Sequence, residues 1–166
     1  MKNRYMFLAA AIFLAAATLP GAPTKAGAAG EIDMAAIRAA TSRFHQVEVA
    51  MEAGYETFLD CFYRPGVGGM GYHYVNFDLL DLELDPTTPE AMVYPPGPDG
   101  QLQLGAVEYL VPIALWDQQY SGPPVLFGQT FDRNESLGVY ALHAWVWKNN
   151  PSGMFAGYNP TVSCSR

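Results

Sequence analysis

Basic residues are scarce in this 166-residue chain, with 9 Lys and Arg against 16 Asp and Glu. A surface this acidic argues against nucleic acid and against anionic membrane as partners. Cysteine is scarcer still, with two residues, Cys61 and Cys164. Two cysteines so far apart make neither a CxxC redox motif nor a zinc knuckle. Histidine occurs only as His45, His73 and His143, and no HxH, HExxH or CxxCH surrounds them. Beyond the first 20 residues no apolar stretch is long enough to cross a bilayer. The chain has no internal repeat.

The apolar run that does exist sits at the N-terminus. Lys2 and Arg4 precede it, Tyr5 to Leu19 is almost unbroken, and Pro20-Gly21 ends it. Ala26-Gly27-Ala28 then offers a small-x-small cleavage site, so residues 1–28 are expected to be a signal peptide and 29–166 a single domain. Cleavage would also remove Lys25, leaving 6 basic residues against 16 acidic ones. No cysteine near the cleavage site suggests a lipid anchor. The expected location is periplasmic or extracellular, with no membrane attachment after cleavage. In such a compartment Cys61 and Cys164 are expected to form one disulfide, with Cα atoms about 4.4–6.8 Å apart. It would close a loop of about 100 residues. A pair of cysteine metal ligands is the alternative.

Within the domain, Ala36, Ile37, Ala40, Phe44, Val47 and Ala50 or Met51 recur at helical spacing. They predict one helix over 34–54, capped by Asp33 and stopped at Gly54. His45 sits at its edge, where a solvent-facing reading is the ordinary one. Strands are expected at 70–76, 91–94, 101–111 and 138–148, with a short one at 125–127. Pro95-Pro-Gly-Pro-Asp-Gly100 is a tight turn that makes 91–111 a hairpin. Residues 77–90 read as an irregular connection and 112–137 as loop. The fold class is therefore α+β: one N-terminal helix packed on a curved, mostly antiparallel sheet of four or five strands, with one disulfide.

The phrases Gly69-Met-Gly-Tyr-His-Tyr-Val-Asn, Gly105-Ala-Val-Glu-Tyr-Leu-Val-Pro and His143-Ala-Trp-Val-Trp-Lys-Asn-Asn-Pro-Ser-Gly-Met-Phe, with the tail Tyr158-Asn-Pro-Thr-Val-Ser-Cys, resemble a group of uncharacterised exported bacterial proteins. The resemblance spans most of the mature chain. It implies that these phrases form one unit, and it implies no activity.

Three ionisable side chains interrupt apolar rows. Alternation places His73 with Gly71 and Val75, Glu108 with Leu104, Ala106 and Leu110, and His143 with Val139, Ala141, Trp145 and Trp147. A lone polar group on such a row is costly unless paired. If the rows face one interior, His73, Glu108 and His143 form a ligand set for a mononuclear transition metal (zinc, copper or iron) with room for water or substrate. That set suits metal-assisted hydrolase or oxygenase chemistry. Without metal, Glu108 beside a histidine is a general acid/base pair, and His45 could join it from the helix. Tyr72, Tyr74, Tyr109, Tyr140, Trp145 and Trp147 suggest another class, a non-catalytic small-molecule-binding module with an aromatic pocket, although ordinary core is the usual role of such rows. A structural domain with the three polar groups scattered is the third reading. Asp81-x-Glu83-x-Asp85 has calcium-like spacing, but Pro86 stands where an EF-hand needs glycine, so it reads as a solvated loop.

Overall fold

The structure is a computed structural model and describes residues 33–164. The expected signal peptide lies outside the described residues. Asp33 caps the first helix as expected, its Oδ1 accepting from Ala36 N at 2.9 Å. The single long helix is corrected. It divides into α1 (Met34–Thr41), a 3₁₀ turn (Ser42–His45) and α2 (Val47–Glu52), separated where Gln46 is extended (φ −91°, ψ 122°). Gly54 follows α2 at φ +93°, a left-handed stop that favours glycine.

Six strands form one open antiparallel sheet: β1 (Glu56–Leu59), β2 (Tyr72–Val75), β3 (Ala91–Tyr94), β4 (Ala106–Pro112), β5 (Asp132–Asn134) and β6 (Val139–Ala144). Their spatial order is β1-β2-β3-β4-β6-β5. The β3–β4 hairpin matches the expectation, as does its turn, where Gly100 has φ +78°. Strand lengths do not. Before β4 the pairing is reduced to an isolated bridge of Leu102 to Pro96 and to single backbone bonds from Gln103 to Pro95 and from Gly105 to Val93. After β6 the chain leaves the sheet, and the Trp147 and Lys148 N–H groups both donate to the Gly105 carbonyl. Residues 112–137 hold more than loop: a helix, α3 (Ile113–Gln119), follows Pro112, and β5 forms the sheet edge.

Period-two alternation gives the sheet two chemically distinct faces. On one, Tyr74, Met92, Tyr94, Val107, Tyr109, Val111, Tyr140 and Leu142 share a core with Ile37, Phe44 and Ala50 of the helical segment and with Ile113 and Trp116 of α3. Tyr94 donates its hydroxyl to the Phe44 carbonyl at 2.7 Å, and Trp147 Nε1 donates to Thr41 Oγ1 at 3.0 Å. The strand tyrosines are thus core, and Trp147 lies beyond the sheet against the first helix. The opposite face carries two smaller clusters, Val93-Ala106-Trp145-Val162 and Val75-Ala91-Leu110. The three polar interruptions stand on this second face.

Cys61 and Cys164 are joined, with Cα atoms 5.5 Å apart. The bond ties the segment after β1 to the C-terminal tail. Such a bond is consistent with an oxidising compartment. Among the described residues no helix is long and apolar enough to cross a membrane.

Candidate metal centre

Strand register assembles the three side chains. Glu108 on β4 lies directly across from His143 on β6 and, on its other side, from Ala91 on β3. His73 on β2 pairs with Val93 of β3 and, past an irregularity in β1, with Leu59. The small Ala91 and Ala106 leave space for the larger rings to approach across the central strands. Gly71, two residues before His73, has φ +116°, and a Cβ there would fall 2.7 Å from Pro95 N. The strand therefore enters the site through a backbone position that only glycine fits.

His73 Nε2 lies 3.2 Å from His143 Nε2 and 3.7 Å from Glu108 Oε2. Glu108 Oε1 lies 3.1 Å from His143 Nδ1. One donor atom from each residue falls within 4.8 Å of the others. In a tetrahedral zinc site with bonds of about 2.0–2.1 Å, neighbouring ligand atoms stand about 3.3 Å apart; the two edges from His73 Nε2, 3.2 and 3.7 Å, bracket that value, whereas the 3.1 Å contact of Glu108 is to the other nitrogen of His143. The two rings meet edge-on, with planes 90° apart.

All three side chains are buried, with 2–7% exposure. Burial pushes the Glu108 carboxyl up to about 8, with the nearby Glu90 carboxylate adding to the shift. Burial pulls His73 down to about 4, offset in part by the Gly71 backbone. Burial, and then the neighbouring His73, pulls His143 down to about 3. Without metal at neutral pH, the site is therefore a protonated carboxyl and two neutral imidazoles. One chain of hydrogen bonds links Glu108, His143 and His73. At its end His73 Nδ1 is buried and has only the Gly71 backbone beside it, short of full hydrogen-bond geometry. A fold that keeps three ionisable groups desolvated on an otherwise apolar face gives up stability there, as functional sites do.

The triad lies in a cavity of about 610 Å³, within the usual range for small-molecule sites. Val75, Leu110, Val139 and Ala141 surround it on the sheet. Phe58, Leu59 and Phe62 form one wall, Phe77 and Leu80 a second, and Met70, Gly157 and Tyr158 a third. Phe58 and Phe77 touch edge to face, with ring centroids 5.5 Å apart. These pocket aromatics are not the strand aromatics singled out by alternation. They come from the exposed edge strand β1, from irregular segments and from the tail, where no burial alternation exists to flag them. The one available signal was large apolar residues in segments with no helical or strand partner.

His45 does not join the site. It is exposed and packs against Trp147, with ring centroids 4.3 Å apart, on the helical side of the molecule. The Asp81–Asp85 stretch is a turn-rich loop: Asp81 accepts from Glu83 N, and Asp85 accepts from the Thr87 backbone and from the Thr87 and Thr88 hydroxyls. Among the described residues the triad is the one group of His, Cys, Asp or Glu with metal-ligand spacing. Glu90 is also buried, and its Oε2 accepts from Leu110 N at 2.9 Å. It serves as a strand partner for β4 just before β3 begins. Burial raises its pKa to about 7.

Compared with protein-family models, with curated proteins and with solved structures, the chain matches none.

Proposed function

We propose that this chain binds one transition-metal ion through His73, Glu108 and His143 and presents it to a small molecule in the cavity above. The observation that carries the reading is the approach of two neutral imidazoles and one carboxyl at metal-ligand separations, inside a cavity rather than a closed core. Three protein ligands leave a coordination position for water or substrate. Zinc, copper and iron all accept this donor set. Zinc in it would activate water for hydrolysis, and iron(II) would support oxygenase chemistry. Glu108 is on this reading a ligand. In a metal-free protein it would instead be the proton donor of an acid/base pair with His143.

A second reading is a non-catalytic binding module. The walls favour it because they are mostly apolar: besides the triad, their polar members are Asp132 and Asn134 on the edge strand, Ser136 just after it and Tyr158 of the tail. Export belongs to the same proposal: a signal peptide over residues 1–28 would deliver the domain to the periplasm or the exterior, where its disulfide would be stable.

Zinc titration of untagged mature protein tests the metal reading. One equivalent is expected to bind. His73→Ala and His143→Ala are each expected to lose it while keeping the far-ultraviolet circular dichroism of the wild type. Failure of the wild type to take up stoichiometric zinc, copper or iron would overturn the reading.

A further inference from the structure

The cavity restricts what can reach the metal. Next to the triad the central strands contribute hydrocarbon, with Val75 two residues from His73, Leu110 two from Glu108 and Ala141 two from His143, while the edge strand adds Asp132 and Asn134. Among the described residues that line the cavity there is no Lys or Arg, and the one carboxylate besides Glu108 is Asp132, at the exposed edge strand. A substrate carrying a phosphate, sulfate or carboxylate on its body would find no countercharge on these walls and would lose hydration against them. Phe58, Phe62 and Phe77 remain 43%, 50% and 48% exposed around the mouth. Side chains of that size left half in water are available to cover an apolar guest.

We propose that the cavity takes an uncharged, predominantly apolar organic molecule that carries a single oxygen or nitrogen donor. The donor faces the metal, and the hydrocarbon body lies over Leu110 and Ala141 and under the phenylalanine rim. This assignment rests on the metal reading above, because the donor is given a role only by the ion. The ligand class follows from the walls. A phosphate ester would need a basic side chain, which the lining lacks, and a sugar would need more polar partners than Asn134, Ser136 and Tyr158 supply on walls that are mostly hydrocarbon.

The zinc-loaded protein tests the assignment with two uncharged probes that share one donor, imidazole and 4-phenylimidazole, measured by calorimetry. The phenyl ring is expected to tighten binding at least tenfold. Ala141→Asp, which sets a carboxylate beside the triad, and Phe62→Ser, which removes an exposed rim ring, should each reduce that advantage at least threefold, and in Phe62→Ser zinc affinity should stay within twofold. Phe62 is half exposed, so its variant keeps the test open if Ala141→Asp does not fold. Equal affinity for the two probes on a protein that binds zinc overturns the ligand class and leaves the metal reading standing. Failure of the preceding zinc titration overturns the metal reading, and this assignment with it.

Discussion

Metal binding by this trio must displace a proton, and the amount can be worked out. Glu108 carries its proton up to about 8, whereas His73 and His143 stay neutral down to about 4 and about 3. A metal ion needs the carboxylate and the two neutral rings. Binding should therefore release about one proton, from Glu108 alone, and the value should stay flat between about pH 5.5 and pH 6.5. The same residues with ordinary values of 4.5 and 6.5 behave differently. The two histidines, about nine-tenths charged near pH 5.5 and half charged near pH 6.5, would then bring the release to about 1.9 protons at the lower pH and about 1.0 at the higher. The range lies below the ionisation of zinc-bound water at about pH 7. Calorimetry in two buffers of different ionisation enthalpy measures the proton count directly. A flat value near one supports the electrostatics described here. A count that falls by about half across the range would refute them, because the histidines would then be protonated in the free protein.

Two further outcomes follow from buried groups and from the covalent link. Glu90 is raised from 4.5 to about 7, so the folded state holds its proton more tightly than the unfolded chain does. Its contribution to stability is complete below about pH 4.5 and is lost as pH rises to about 7. Glu90→Gln keeps an oxygen for Leu110 N, and metal-free melting curves of this variant should fall less between pH 5 and pH 7.5 than those of the wild type. An identical fall would show that Glu90 is not the titrating group. The Cys61–Cys164 bond spans 103 positions, worth roughly 4–5 kcal/mol in the chain-entropy model. The double serine variant should melt well below the oxidised protein while keeping its sheet signal, and an unchanged midpoint would contradict that estimate.

The site was more legible than the frame around it, for a physical reason. A polar residue on an apolar alternating row needs a partner, and that need can be read one strand at a time. Register then did the rest: Glu108 and His143 are direct cross-strand partners, a fact no single strand contains. Helix continuity was less legible. Phe44, Val47 and Ala50 keep three-residue spacing across the extended Gln46, because a 3₁₀ turn also repeats every three residues. α3 escaped although Pro112 stands at its start and Ile113 and Trp116 are three apart; the surrounding polar and turn residues masked so short a helix. β1 had no readable signal, since its residues are mostly exposed and do not alternate in burial. His143 lost its expected face-mate Trp147 because β6 ends at Ala144. The cavity walls arise from segments far apart in sequence, so only the folded chain brings Phe62 and Tyr158 to one opening.

Anomalous diffraction from zinc-soaked crystals would locate an ion between His73, Glu108 and His143 without intermediary. A single strong zinc peak is expected about 2.0–2.2 Å from one nitrogen of each histidine and from a Glu108 oxygen. No peak there, or zinc only at surface carboxylates such as Asp81 and Asp85, would contradict the metal reading.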